Sequence, residues 1–376
     1  MRRAVRCISL MCECDYVSYY FSGHLNSTTL KDKPMRDFIS IITFLVLAYS
    51  MEGQDWMRIP DQPQELGHVR WVRSYDDALA QAKLEEKPVL ILFQEVPGCA
   101  TCRNYGNDLL RHPLIVEAIE TYYVPLAIYN NKGGADADVL RRFHEPAWNN
   151  PVCRIIDPSS EKDIVQRLNG RYDLTALVSY INQGLLASNV LIPAYLHNLE
   201  REVSVNDVRE THLSMYCFWS GEKALGNLDG VVATKAGFMN GSEVVKVRYD
   251  AGRVSEEDLL RYASKQNCAD AVYTDDQREV KAAKSVKVAS AAKGKFRPDR
   301  EPKYYLSKTD LRFVPMTDLQ ALKINRALAQ RQTVESLMSS RQLEILDLVR
   351  SKKLKSKNVV DLPLIESWIS LLKENS

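Results

Sequence analysis

The strongest constraint on the fold is a continuous apolar run that leads directly into a pair of cysteines. Residues 89–93 (VLILF) have the composition of a strand that is buried on both faces of a sheet. Cys99 and Cys102 follow in a C-x-x-C motif, and a helical pattern covers 102–110. Unpaired backbone N–H groups and the dipole at a helix start stabilise a thiolate. The stretch therefore predicts a redox pair, with Cys102 placed to attack a mixed disulfide formed by Cys99.

Further strands and helices are predicted around this motif. Ser74 is expected to cap a helix that begins at residues 75–77. Residues 122–129 and 152–157 have the composition of two more buried strands, and residues 173–188 predict a closing helix. The region 71–188 is therefore predicted to be one α/β domain built around the thiol pair.

The span 71–188 resembles the thioredoxin-like superfamily. Residues 96–99 (VPGC) are similar, more narrowly, to the VPGUxxT group, which often has selenocysteine at the position of Cys99. The resemblance implies that Cys99 is the attacking residue and that Pro151 follows a cis peptide bond facing the thiols. Cys102 stands where that group's motif has Thr, which favours reversible dithiol–disulfide cycling. The alternative for the pair is half of a structural zinc site, or two buried thiols.

Cysteine spacing and charge limit the other functions open to the chain. There are eight cysteines and six histidines, but no second C-x-x-C or His pair complements Cys99 and Cys102 as zinc ligands. We therefore expect no metal and no cofactor. Cys153, in the middle of a predicted strand, is expected to be a small core residue. The formal net charge of +2 gives no electrostatic basis for a nucleic-acid partner.

A second cysteine motif, residues 216–220 (YCFWS), places a thiol beside two large aromatic side chains. Residues 211–216 are strand-like, and a helical segment runs from Cys217 to Leu225. Strand patterns over 228–237 and 242–250 follow, and then a helix that Ser255 is expected to cap. Because an apolar pocket would lie against a sulfur nucleophile, the motif predicts a sulfur-redox site.

Residues 209–290 resemble the A-type peptide methionine sulfoxide reductases. Their signature is G-C-F-W-G-x-E, then a strand ending in A-G-Y, then a catalytic Glu in a strand that closes with Y-D. The corresponding positions here are Cys217, Phe218, Trp219, Glu222, 230–231 (GV), 236–238 (AGF), 243–245 (EVV) and 249–250 (YD). The resemblance implies a ferredoxin-like domain after the thioredoxin-like one. The fold class expected for the chain is thus α/β and α+β, with a mostly helical C-terminal tail.

The resemblance also implies a role for each matched side chain. Cys217 would attack the sulfoxide sulfur of oxidised methionine in peptides or proteins, with Phe218 and Trp219 as the wall for the substrate methyl group. Glu243 would protonate the sulfoxide oxygen, leaving Cys217 as a sulfenic acid. A thiol reductant must then restore the enzyme, and the C-x-x-C module of the same chain is the expected source. The alternatives are an exposed strand carboxylate for Glu243 and a structural partner for Glu222.

The chain departs from this family around the substrate. Tyr216 and Ser220 replace the glycines that flank C-F-W, and two tyrosines of the family's site have no counterpart. Cys268 lies near the position of one of them. We therefore expect Cys268 to be the resolving thiol that condenses with the sulfenic acid. The alternative is a core residue at a helix end.

The remaining segments are assigned by composition. Residues 1–34 are a doubtful leader, and residues 35–53 combine a basic start with a short apolar run, as signal peptides do. An uncleaved anchor is the alternative, although the run is short for a membrane span. We therefore expect an extracytoplasmic protein, periplasmic or secreted, that contacts a membrane only if this segment remains attached. Residues 189–208 are expected to be a linker, and residues 291–376 a basic strap and helical tail.

Three functions are compatible with this organisation. The first is a reductase of peptide methionine (S)-S-oxide with a fused thioredoxin-like reductant. The second is an extracytoplasmic thiol–disulfide oxidoreductase whose second module binds partners without reducing sulfoxide, which the missing tyrosines favour. The third is an interaction protein that retains the reductase fold without its activity, which the long tail favours.

Overall fold

The computed structural model describes residues 55–375. The proposed leader, 1–34, and the proposed signal peptide or anchor, 35–53, lie outside these residues. Within the described part of the chain, no helix is long and apolar enough to cross a membrane. The predicted fold class is confirmed, since strands and helices alternate around two separate sheets.

The first sheet contains four strands in the order β2-β1-β3-β4. They are β1 Val89–Gln94, β2 Val124–Tyr129, β3 Val152–Ile156 and β4 Leu168–Asn169. Strand β1 runs parallel to β2 and antiparallel to β3. Every residue of β1 is buried, as its apolar composition predicts. The C-terminal end of this central strand leads into the C-x-x-C motif.

Five helices of the described residues belong to this first module. They are α1 Tyr75–Glu85, α2 Ala100–Asn104, α3 Pro113–Tyr122, α4 Ala135–Arg142 and α5 Leu174–Ala187. Ser74 caps α1 by accepting a hydrogen bond from the Asp77 N–H, as expected. The helix predicted over 102–110 begins at Ala100 instead, and Cys99, whose backbone is extended, is its N-cap. It then continues as a π-helical segment, Tyr105–Leu109.

The second sheet has the strand order β10-β6-β7-β5-β8-β9. Its strands are β5 Val208–Ser214, β6 Val231–Met239, β7 Ser242–Asp250, β8 Ala271–Tyr273, β9 Ala289–Ala291 and β10 Arg297–Pro298. Two helices, α7 Phe218–Leu225 and α8 Glu256–Lys265, connect β5 to β6 and β7 to β8. Residues of both helices pack into one apolar core with Leu213 and Val245 of the sheet. This β-α-β-β-α-β order is the ferredoxin-like arrangement.

The segment expected to be a linker, 189–208, contains a helix instead. Helix α6 spans Ala194–Val203, with Tyr195, Leu196 and Leu199 buried. The Thr175 hydroxyl of α5 donates a 2.7 Å hydrogen bond to the Val203 carbonyl. Pro193 is the N-cap of α6, a place where proline's fixed φ is compatible with helix entry.

The tail packs against both modules. Its helices, preceded by the basic helix α9 Gln277–Ser285, are α10 Tyr304–Ser307, α11 Asp318–Ala329, α12 Ser340–Arg350 and α13 Leu364–Asn375. These elements confirm the mostly helical C-terminal tail that the sequence predicts. Leu319 and Leu322 of α11 lie in the core of the second sheet. The Arg341 N–H of α12 donates to Glu117 of α3 at 2.9 Å. The sheet also extends past residue 290, through β10.

Candidate redox sites

The C-x-x-C thiols lie where β1 ends and α2 begins. Cys99 is exposed, Cys102 is fully buried, and both are free thiols. Their Sγ atoms are 3.6 Å apart, and Cys102 Sγ is 2.7 Å from the Asn150 side-chain oxygen. The Asn150–Pro151 peptide bond is cis, as expected, and so is Val96–Pro97. One thiol thus meets solvent while its partner is held beneath it.

The two thiols have opposite electrostatic environments. A hydrogen bond from the Cys102 backbone N–H holds the pKa of Cys99 below its usual range. Burial raises the pKa of Cys102 to about 11. At neutral pH the thiolate population therefore belongs to Cys99, which is the property required of an attacking thiol.

We expect iodoacetamide to alkylate Cys99 at least about a hundredfold faster than Cys102 near pH 8, because the thiolate is the reacting form. The Cys99 rate should rise through a pKa below the ordinary thiol value, whereas the Cys102 rate should rise only toward pH 11. Mass spectrometry of the reduced protein against pH gives both rates. Preferential labelling of Cys102 would contradict the assignment.

One carboxylate lies beside the thiol pair. The Glu95 carboxylate and the thiols of Cys99 and Cys102 have their ligand atoms within 4.8 Å of one another. These three side chains could serve as ligands of a soft cation, although a tetrahedral site needs a fourth ligand.

Cys153 is buried, and its Sγ lies 3.3 Å from the Tyr105 hydroxyl. Burial raises the pKa of Cys153 to about 11, which fits the core residue that the sequence predicts.

The second candidate site lies where β5 ends and α7 begins. Cys217 is half-buried and is the N-cap of α7, although its side chain makes no cap hydrogen bond. The Phe218 N–H, the first of the helix, donates a 2.9 Å hydrogen bond to Glu243 Oε2. The carboxylate of β7 is therefore held at the start of the helix that carries the thiol. Glu243 is half-buried, in contrast to the alternative of an exposed strand carboxylate.

The two aromatic side chains that follow Cys217 in the chain belong to a cluster of four aromatic rings. Phe218 meets Trp219 and Phe238 edge-to-face, with ring centroids 5.6 and 5.3 Å apart. Trp219 stacks on Tyr304 at 4.0 Å between centroids, and its indole N–H donates to Asp299 at 3.3 Å. The wall expected from Phe218 and Trp219 thus includes tail residues that the sequence did not indicate. The aromatic pair 304–305 in an otherwise charged stretch was the one available signal.

Cys268 lies in the same apolar core as Phe218, on the loop after α8, and is 4% exposed. Its Sγ lies 3.2 Å from the Gln266 carbonyl oxygen. Burial raises the pKa of Cys268, and the charge of nearby Cys217 raises it further. Cys217 and Cys268 are both free thiols. Their roles as nucleophile and resolving thiol stay a prediction.

Glu222 is fully buried, and its partners lie in the sheet and tail. Its Oε1 accepts hydrogen bonds from Lys303 Nζ and the Thr234 hydroxyl, each at 3.0 Å, and its Oε2 accepts from the Lys303 N–H at 3.1 Å. Lys303 Nζ also pairs with Asp361 at 3.2 Å. Glu222 is thus the structural partner considered from the sequence. The sequence did not indicate this role of Lys303, because the residue lies in the basic strap, where a lysine is expected to be solvated.

Comparisons with known proteins support part of this picture. Residues 70–158 match the family described as thioredoxin-like. A peptide methionine sulfoxide reductase MsrA from Methanococcus maripaludis is 36% identical over 63 residues, covering 12% of this chain and 40% of the relative. The chain thus spans less than half the length of this curated relative.

Two solved structures are also similar to part of the chain. A thioredoxin from Thermus thermophilus is 20% identical, with a TM-score of 0.28, covering 32% of this chain and 89% of its own. A DsbH oxidoreductase is 17% identical, also with a TM-score of 0.28, covering 34% and 91%. The family match and the thiol geometry agree on the first module. Residues 70–158 thus match the thioredoxin-like family, in a chain that also has a weak, partial similarity to peptide methionine sulfoxide reductase.

Proposed function

We propose that the chain reduces peptide methionine (S)-S-oxide at Cys217 and is recharged by the Cys99/Cys102 pair. The observation that carries the proposal is the hydrogen bond between Glu243 and the Phe218 N–H. It holds a carboxyl group at the helix start where the nucleophile lies. A nucleophile, an acid and an apolar wall are the groups that sulfoxide reduction requires.

The chemistry balances with the thiols present. The Cys217 thiolate attacks the sulfoxide sulfur, Glu243 delivers one proton to the oxygen, and the oxygen passes to Cys217 as a sulfenic acid while the thioether leaves. The Cys268 thiol then condenses with the sulfenic acid, which forms a Cys217–Cys268 disulfide and releases water. Exchange with Cys99 and Cys102 returns two electrons to this disulfide. An external thiol reductant restores the C-x-x-C pair.

Glu243→Gln should lower kcat by about a hundredfold, within the range for loss of a positioned general acid. The amide oxygen can still accept from the Phe218 N–H, so the start of α7 should be preserved. Initial rates with a sulfoxide peptide and a chemical dithiol measure the change. Glu257→Gln on α8, whose carboxylate pairs with Arg261, is a matched control and should leave kcat unaltered. Equal rates for both variants would remove Glu243 from the mechanism.

The direct test is turnover of a peptide that contains methionine S-sulfoxide, with the R-sulfoxide peptide as the stereochemical control. We expect thioether product from the S form with a dithiol present. Without reductant, mass mapping after one turnover should find Cys217 joined to Cys268. A wild-type chain that gives no thioether product would overturn the proposal, and a Cys217 that never pairs with Cys268 would remove Cys268 as the resolving thiol.

A second candidate function is thiol–disulfide exchange at Cys99, with the second module binding partners without sulfoxide turnover. The stack of Tyr304 on Trp219 favours it, because the tail occupies one face of the indole. Disulfide exchange with no sulfoxide turnover would select this function. The long tail was the argument for a purely non-enzymatic role, and that argument is weaker because the tail packs into the core of the second sheet. In either enzymatic case we propose an extracytoplasmic location, supported by the signal-like segment 35–53, and for the reductase a role in protein repair.

A further inference from the structure

We propose that the thioredoxin-like site of one chain recharges the Cys217 site of a second copy of the chain. The inference deepens the proposed function and rests on its assignment of Cys217 as the oxidised thiol. The surface around Cys99 thus binds the surface around Cys217 of another molecule. Two observations lead to it: the placement of the second sheet and two exposed aromatic side chains.

The second sheet separates the two sites within one chain. Cys217 and Glu243 lie on the face that α7 and α8 cover. Lys246 and Arg248 alternate with the buried residues of β7, and so they belong to the opposite face. There they line a cavity of about 500 Å³ together with His112 of the thioredoxin-like module. The module therefore packs against the face that does not carry Cys217.

A direct exchange within one chain would require this packing to break. Helix α6 connects the modules. Its Val203 carbonyl accepts a hydrogen bond from Thr175 of α5, and its Glu202 accepts a 2.9 Å hydrogen bond from the Leu319 N–H of α11. Thiol–disulfide exchange needs the attacking sulfur to reach the disulfide sulfur directly. Two chains can meet with their Cys99 and Cys217 surfaces facing, and neither fold then has to change.

Each site presents an exposed aromatic side chain beside its reactive sulfur. Trp148 is 82% exposed and precedes the Asn150–Pro151 turn that contacts Cys102. Tyr216 is 93% exposed and directly precedes Cys217. Exposed Trp and Tyr are the side chains most enriched at the centres of protein interfaces. The Trp148 loop is also held in place, since the Asn149 carbonyl accepts a 3.0 Å hydrogen bond from Asn130.

The electron count is complete for the exchange. The Cys99 thiolate attacks Cys217 of the second chain, a mixed Cys99–Cys217 disulfide forms, and Cys268 leaves as a thiolate that takes up a proton. Cys102 loses its proton and attacks Cys99, which releases Cys217 as a thiolate. The first chain ends with a Cys99–Cys102 disulfide, and the second has both thiols restored. If Cys217 is met as a sulfenic acid, Cys99 forms the same mixed disulfide and water is released.

The test traps that intermediate between two full-length variants. The donor is Cys102→Ser/Cys217→Ser, which can attack but cannot resolve. The acceptor is Cys99→Ser/Cys102→Ser, oxidised at Cys217 with hydrogen peroxide, so that no sulfoxide turnover is needed. We expect a disulfide-linked dimer whose mapped bridge joins Cys99 of the donor to Cys217 of the acceptor. Absence of that bridge in a mixture with confirmed Cys217 oxidation would overturn the inference, whatever the outcome of the sulfoxide assay.

Trp148→Ala in the donor should slow trapping by about tenfold, the loss typical of an interfacial Trp. Leu191→Ala is the matched control, because Leu191 is 88% exposed but lies outside the thiol region, and its trapping rate should not change. With pre-reduced wild-type protein and excess sulfoxide, the second equivalent of product should form with an observed rate constant that is proportional to protein concentration. A second phase whose rate constant is independent of concentration would place the exchange within one chain and refute the inference.

Discussion

Cys217→Ser is expected to lower sulfoxide turnover by at least about a thousandfold, the scale on which loss of a covalent nucleophile acts. A serine hydroxyl is not ionised near neutral pH and cannot supply the attacking anion. The same change should not unfold the site, because residue 217 is the N-cap of α7 and serine is a preferred residue there. Initial rates with S-sulfoxide peptide and a chemical dithiol provide the measurement.

Cys99→Ser provides the matched comparison. It removes the exposed thiol of the first module, whose role in the proposed cycle is to return electrons. Turnover with a chemical dithiol should therefore stay near the wild-type rate, while turnover driven only by the chain's own reduced thiols should stop after one equivalent. Equal loss of dithiol-driven turnover in both variants would contradict the division of labour between the modules.

The sequence was most informative where one local pattern determines one element. An apolar run predicts β1, Ser74 and Ser255 predict helix starts, and both caps accept the expected backbone N–H groups. The thiol pair at the end of β1 follows from the same local logic. The helix inside the predicted linker was missed for a local reason too, since Pro193 begins α6 and does not interrupt it.

The sequence was least informative where a site depends on residues far apart in the chain. Trp219 contacts Asp299 and Tyr304, about eighty positions later, and no periodic pattern connects such positions. Lys303 is the clearest case. In the sequence it is one cation of a basic stretch, and only the fold reveals that Glu222 and Asp361 surround it.

Lys303→Met should lower the free energy of unfolding by about 3–5 kcal/mol, the cost of leaving buried carboxylates without their cation. Lys303 is 2% exposed and pairs with Glu222 and Asp361. Burial acts to lower the pKa of Lys303, but the two carboxylates outweigh burial and raise it above its ordinary value. A cation with a raised pKa contributes its full stability below the unfolded-state pKa. The deficit of the variant should thus be constant near neutral pH and shrink only at strongly alkaline pH.

Lys308→Met on the same strap is the control for loss of one lysine charge. Lys308 is exposed, and its 2.7 Å ion pair with Glu301 lies in solvent, where such pairs contribute at most about 1 kcal/mol. Urea unfolding of both variants compares the two sites directly. Because Lys303 adjoins Tyr304, the ring stacked on Trp219, the unstable variant should also lose sulfoxide turnover before it unfolds globally. Similar stabilities for the two variants would show that the buried ion pair does not hold the strap against the second sheet.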